Sequence, residues 1–195
     1  MRQVLIIHGG NSFSSYDAYR RYLSQKTLNY DKLTHPIRWK ERLGDNLPGY
    51  DIIYPSMPNS ENAVYEEWKI YFEKLLAFLE DDVQIIGHSL GAMFLAKYLN
   101  GHPLKAPVKR LLLVAGGYDD ESEEDLGSFK VESVKNLPRS AEEIHLFHSK
   151  DDPVVPFSEL AKYQADIPTA ISHVYDGRGH FIGTEFPEIL EVMKK

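Results

Sequence analysis

Six short runs of apolar, β-favouring residues punctuate the chain, at 4–7, 52–54, 83–86, 111–114, 144–147 and 173–175. Most are continuous rather than alternating, the pattern of strands covered on both faces. The connections between them are long. A parallel crossover needs about a dozen residues or more, so parallel pairing is predicted.

Between the runs the period changes. Over 63–79, Val64, Trp68, Tyr71, Leu75 and Leu79 recur every three or four positions, and Phe72 and Leu76 widen the stripe. Glu66, Glu67, Lys69, Glu73 and Lys74 fall largely opposite, which predicts an amphipathic helix. A second helix follows Ser89 through Met93, Phe94, Ala96, Lys97 and Leu99, and His102-Pro103 ends it. A third spans 158–165. A last one starts at Pro187, a residue suited to a first turn, and reaches Met193. Strands alternating with helices imply an α/β fold: a compact, mostly parallel, doubly wound sheet of about six strands with helices on both faces. No repeat or low-complexity linker divides the pattern, and 195 residues suit one domain over 1–195.

Composition narrows the partners. A hydrophobic fraction of 43% is enough for a real core. The formal charge of -7 repels phosphate backbones and anionic membrane surfaces, so neither nucleic acid nor membrane is expected as a partner. Cysteine is absent, which removes disulfides, thiolate metal sites and a cysteine nucleophile together. The first apolar run is too short for a signal sequence, whose core needs about 7–15 residues. No run approaches the roughly 18 residues of a membrane span. A cytoplasmic location is the expectation.

In open α/β sheets, reactive groups sit beyond the carboxyl ends of the strands. After the 83–86 run comes Gly87-His88-Ser89-Leu90-Gly91 and then a helix. This is G-x-S-x-G in its meaningful context, where a strained turn lifts a serine hydroxyl above the sheet. The Leu90 amide would then open the helix and serve as an oxyanion donor. After the first run comes His8-Gly9-Gly10-Asn11. Gly10, with no side chain, is the candidate second donor, against the plainer reading of a turn that needs positive φ. His8 reads as a packed or loop-orienting residue. After 144–147, Asp151 and Asp152 compete as the carboxylate that orients a histidine. The spacing Asp-x-x-Val-Pro favours Asp152, with Asp151 in reserve. After 173–175, Gly177-Arg178-Gly179-His180 places a histidine on a loop, and His180 completes the order Ser…Asp…His. Neither a metal nor a cofactor is called for: H-E-x-x-H spacing, a P-loop and G-x-G-x-x-G are all absent.

At these residues the chain resembles the α/β-hydrolase superfamily. More closely it is similar to the small serine hydrolases of the retinoblastoma-binding protein nine and YdeN family. The marks are His8-Gly9-Gly10, Pro55-Ser56-Met57-Pro58-Asn59, Glu66-Glu67-Trp68, the serine turn, the Asp151-Asp152 segment and Gly179-His180. The resemblance implies a hydrolase without a large cap domain, with Ser89, Asp152 and His180 as triad. One departure is the stretch 8–51, longer than the family usually carries. Two helical pieces are expected there, and their aromatics, Tyr16, Tyr19, Tyr22, Tyr30 and Trp39, either cover the sheet or form a partial lid.

Three readings of function follow. The first is an esterase-like hydrolase acting on a small ester, thioester or amide through an acyl-enzyme. A small uncapped site would favour modest acyl groups. Met93 and Phe94 border either that site or the core. The second is a non-catalytic binding module, for a protein or ligand, on the same fold; a serine buried beneath the early insert would favour it. The third is another chemistry of the same fold, which no residue selects. The acidic run Asp119, Asp120, Glu121, Glu123, Glu124 and Asp125 reads as a solvated loop on the site's edge, or as a rim that repels anions.

Overall fold

The computed structural model describes residues 2–34 and 37–194. The six runs form β1 (Arg2–Ile7), β2 (Tyr50–Ile53), β3 (Gln84–His88), β4 (Val108–Val114), β5 (Ala141–Ser149) and β6 (Ile171–Tyr175). They make one sheet in the order β2-β1-β3-β4-β5-β6, and every neighbouring pair is parallel. Side chains alternate between its two faces. Leu5, Ile7, Ile85, Leu111 and Leu113 pack into one apolar layer with α3 (Tyr65–Leu75), α4 (Leu90–Gly101) and α5 (Ser158–Asp166). Val4, Ile6, Ile86, Leu112 and Val114 pack into the other with α6 (Pro187–Met193), Trp39, Leu43 and Leu47. Burial on both faces explains why the runs are continuous in sequence.

The amphipathic stripe of α3 is centred differently from its prediction. Val64 is the extended N-cap residue and is 40% exposed, so it lies outside the helix rather than on its buried face. Tyr65, Trp68 and Phe72 form that face, and Trp68 and Phe72 meet Phe94 of α4 with ring centroids at 5.7 and 5.2 Å. Beyond Leu75 the helix tightens into a 3-10 turn, Leu76–Phe78. The early insert holds α1 (Tyr16–Gln25), capped by the Ser15 hydroxyl, and α2 (Tyr30–Leu33). α1 buries no residue, and Tyr16 and Tyr30 are exposed. The sheet is covered instead by Trp39 and Leu43, so of the insert's aromatics it is Trp39 that takes the covering role. No helix among the described residues is long and apolar enough to cross a membrane.

From β1 the chain steps outward to β2, then returns across β1 to add β3 on its other side. This reversal opens a crevice beyond the carboxyl ends of β1 and β3, the usual place for a ligand in such a sheet.

Candidate active site

β3 ends at His88, α4 begins at Leu90, and Ser89 alone makes the turn. Its φ of 55° and ψ of -124° are uncommon outside glycine and mark local strain. The surroundings hold that conformation. A Cβ at Gly91 would lie 2.3 Å from the Ile7 carbonyl oxygen, and one at Gly87 would lie 2.6 Å from that of Gly91. Both motif glycines are therefore required by close backbone approach. The Ser89 N–H donates to the Val114 carbonyl at 2.8 Å, and the Ser89 carbonyl accepts from Ala92 and Met93. With its backbone engaged, Ser89 lines a cavity of about 570 Å³. The insert does not bury it, so the condition that would favour a non-catalytic module is not met.

The loop after β1 forms the neighbouring wall. Gly10 is a close-approach glycine and not a positive-φ turn: a Cβ there would lie 2.4 Å from the Ser60 carbonyl oxygen. Gly9 abuts the nucleophile, where an added Cβ would sit 2.9 Å from that of Ser89. His8 orients this loop. Its Nε2 accepts from the Met57 N–H at 2.8 Å, so its Nδ1–H donates to the Gly9 carbonyl at 2.6 Å. Burial lowers the pKa of this imidazole and keeps it neutral. The Pro-Ser-Met-Pro segment is pinned in turn by the Trp68 indole N–H, which donates to Pro58 at 2.7 Å. No hydrogen bond among the described residues uses the N–H of Gly10 or of Leu90, and both residues line the cavity. Leu90 also opens α4, where the helix dipole favours negative charge.

Of the two aspartates, the structure brings Asp152 to His180. The imidazole Nδ1 lies 2.9 and 3.1 Å from its carboxylate oxygens. That carboxylate is 2% exposed and also accepts from the N–H groups of Val154 and Val155, at 2.8 and 3.1 Å. Asp151 takes a different part: it accepts from the Ser149 hydroxyl and, at 3.1 Å, from the Gly179 N–H, anchoring the histidine loop to β5. Positive φ at Gly179 and Phe181 brackets His180 and turns its ring back into the cavity. Among the described residues no hydrogen bond joins the Ser89 hydroxyl to His180; they meet as neighbours in one cavity wall. Such contacts are often long before substrate enters.

Two supports of the histidine loop were not apparent in the sequence. The Trp39 indole N–H donates to the Phe181 carbonyl at 2.8 Å, and the Trp39 backbone N–H donates to Gly183 at 3.1 Å. His88 donates from Nε2 to the His180 carbonyl at 2.8 Å, which leaves its Nδ1 to accept from the Lys40 ammonium at 3.2 Å. Burial, with Lys40 nearby, holds the His88 pKa well below its usual value. Lys40 is lowered to about 8, chiefly by burial. No local spacing in Trp39-Lys40-Glu41-Arg42 signals these roles, because each partner lies far along the chain.

Asp120, Glu124 and Asp125 of the acidic run line the cavity, while Asp119 pairs with Lys162. Glu159, fully buried, fixes the start of this loop by accepting the N–H groups of Tyr118, Asp119 and Asp120 at 2.6, 2.9 and 3.1 Å. Among the described residues no group of three or more His, Cys, Asp or Glu could hold a metal ion. Met93 lines the cavity, whereas Phe94 is core.

The chain is similar to known serine hydrolases and hydrolases in sequence and fold. A serine hydrolase family model matches residues 32–186. The serine hydrolase RBBP9 of Rattus norvegicus is 32% identical over 164 residues, covering 80% of this chain and 83% of that protein. The YdeN protein of Bacillus subtilis strain 168, described as a hydrolase, is 27% identical over 192 residues, covering 94% and 88%. The crystal structure of the ydeN gene product superposes with a TM-score of 0.74 at 23% identity, covering 100% of this chain and 97% of that one.

Proposed function

Because this chain belongs to the serine hydrolase family, we propose that it hydrolyses a small ester, thioester or amide through an acyl-enzyme formed on Ser89. The observation that carries the reading is the imidazole of His180, held by Asp152 at 2.9 Å through Nδ1 while it shares a cavity with Ser89. Asp152 fixes the tautomer that leaves Nε2 with a free lone pair. As substrate enters, Nε2 takes the Ser89 proton and Oγ attacks the carbonyl carbon. The N–H groups of Gly10 and Leu90 receive the developing oxyanion. The tetrahedral intermediate collapses, the bond to the leaving group breaks, and His180 returns the proton to that group. Water then repeats the sequence, with His180 again as base, and releases the acid and free Ser89.

The cavity volume and the lack of a cap over Ser89 favour modest acyl groups. Turnover of p-nitrophenyl acetate and butyrate by the wild type, exceeding that of the dodecanoate, is the expected result. Ser89→Ala should lower kcat by about 10⁴ to 10⁶-fold while leaving the melting temperature unchanged. Retained turnover in a folded Ser89→Ala protein would place the chemistry elsewhere.

A further inference from the structure

Lys40 is 5% exposed, yet it forms part of the Ser89 cavity wall. An ammonium has three donors, and one of them reaches His88 Nδ1 at 3.2 Å. No carboxylate oxygen of the described residues lies within 4.0 Å of its nitrogen. Lysine is almost never buried so fully without a counter-ion, because neutral partners replace only part of the hydration an ammonium loses; here those partners are His88 Nδ1 and the Trp39 ring, whose centroid lies 5.2 Å from Nζ. Arg38 lines the same cavity and likewise makes no ion pair among the described residues. Both cations border the space a substrate would fill.

Of the acidic residues that line the cavity, Glu41 stands next to the two cations and accepts the Arg38 backbone N–H, Glu159 is engaged by three backbone N–H groups and Lys162, and Asp120, Glu124 and Asp125 belong to the loop after β4. Arg38 and Glu41 are the charges that act on Lys40, and Glu41 does so from beyond ion-pair distance. The charges that act on Glu124 are His180 and Glu123. Lys40 also acts on His8, whose ring orients the Gly9-Gly10 loop. In the structure its nitrogen meets His88, the residue before Ser89, and it lines the same cavity as Gly10, the proposed oxyanion donor. The acidic rim, in contrast, comes from the loop after β4.

We infer that Lys40, with Arg38, forms a carboxylate subsite, and that the substrates are hemi-esters of short dicarboxylic acids whose free carboxylate pairs with Lys40. This deepens the hydrolase reading above and rests on it. Once hydrolysed, such a substrate leaves as a dicarboxylate, with a second negative charge formed beside Ser89.

Mono-p-nitrophenyl adipate, compared with its neutral methyl ester, separates the subsite from the chemistry. Wild type should favour the hemi-ester by about tenfold in kcat/KM, carried in KM, as a charge-assisted hydrogen bond provides. Lys40→Met should bring the ratio to one or below, and Arg38→Gln should lower it by less. Loss of support to His88 and His180 would slow both esters together and leave the ratio unchanged, which would overturn the assignment. A wild-type ratio at or below one, with the neutral diester turned over, would overturn the subsite and leave the hydrolase reading standing. Turnover of neither ester would remove that reading and this inference with it. Should Lys40→Met fold poorly, the wild-type ratio and Arg38→Gln decide.

Discussion

The serine turn and the segment 38–40 border the same cavity, but they are built by opposite means. The turn is local: β3, Ser89 and α4 are contiguous, and its glycines stand where an added Cβ would strike backbone. The segment 38–40 is placed by long-range side-chain contacts, Trp39 to the loop carrying Phe181 and Gly183, and Lys40 to His88. One region holds its reactive group by excluding atoms. The other holds the histidine loop by donating to it. The first should therefore tolerate almost no added volume, and the second should respond to the loss of a single donor.

The largest effect expected concerns the histidine loop, where neighbouring aspartates do different work. Asp152→Asn should reduce kcat by about 10⁴-fold, since the amide no longer fixes the His180 tautomer. Asp151→Asn should cost about tenfold or less, through loosening of the loop. Steady-state kinetics on short esters distinguish the two, and equal losses would contradict the separation seen here. Next comes the turn itself. Gly91→Ala should destabilise the protein by about 3 kcal/mol, because the new methyl meets the Ile7 carbonyl with no flexible side chain to yield. Urea unfolding at unchanged m-value measures it, and near-native stability would mean the turn can relax.

A comparable effect is expected at Lys40, with the opposite sign. At neutral pH the folded protein keeps this ammonium charged and buried. Its pKa is about 8 when folded, against an ordinary 10.5. Between those values the unfolded chain binds more protons than the folded one, so the contribution of Lys40 to stability rises with pH across that window. The rise should total about 3 kcal/mol and be missing from Lys40→Met. Stability curves of the two proteins from pH 7 to 11 that run parallel would show that Lys40 titrates normally. The smallest effect is Trp39→Phe, which keeps an aromatic ring in this buried position but removes the pyrrole part of the indole and with it the donor to Phe181. A loss of about 1 kcal/mol in thermal stability, with a few-fold drop in kcat, is expected.

The same contrast explains what could be read from the sequence. The strands were legible because burial on both faces leaves continuous apolar runs. The serine turn was legible because its conformation demands glycines at a fixed spacing. Asp152 and His180 could be placed through strand ends and chain order, although the choice between Asp151 and Asp152 rested on spacing alone. Val64 was misplaced because a helical period says nothing of where the helix begins. The roles of Trp39, Lys40 and His88 left no local pattern, since each depends on a partner brought near only by the fold. The early insert was ambiguous for the same reason: its aromatics look alike in sequence, but Trp39 is buried and Tyr16 is not.

The central claim is an activated serine at position 89, and covalent labelling tests it most directly. Purified wild type and Ser89→Ala would be treated with a fluorophosphonate and weighed by intact mass spectrometry. One adduct on the wild type and none on the variant is the predicted result. An unmodified wild type, with folding verified, would contradict the claim and mean that His180 does not activate Ser89.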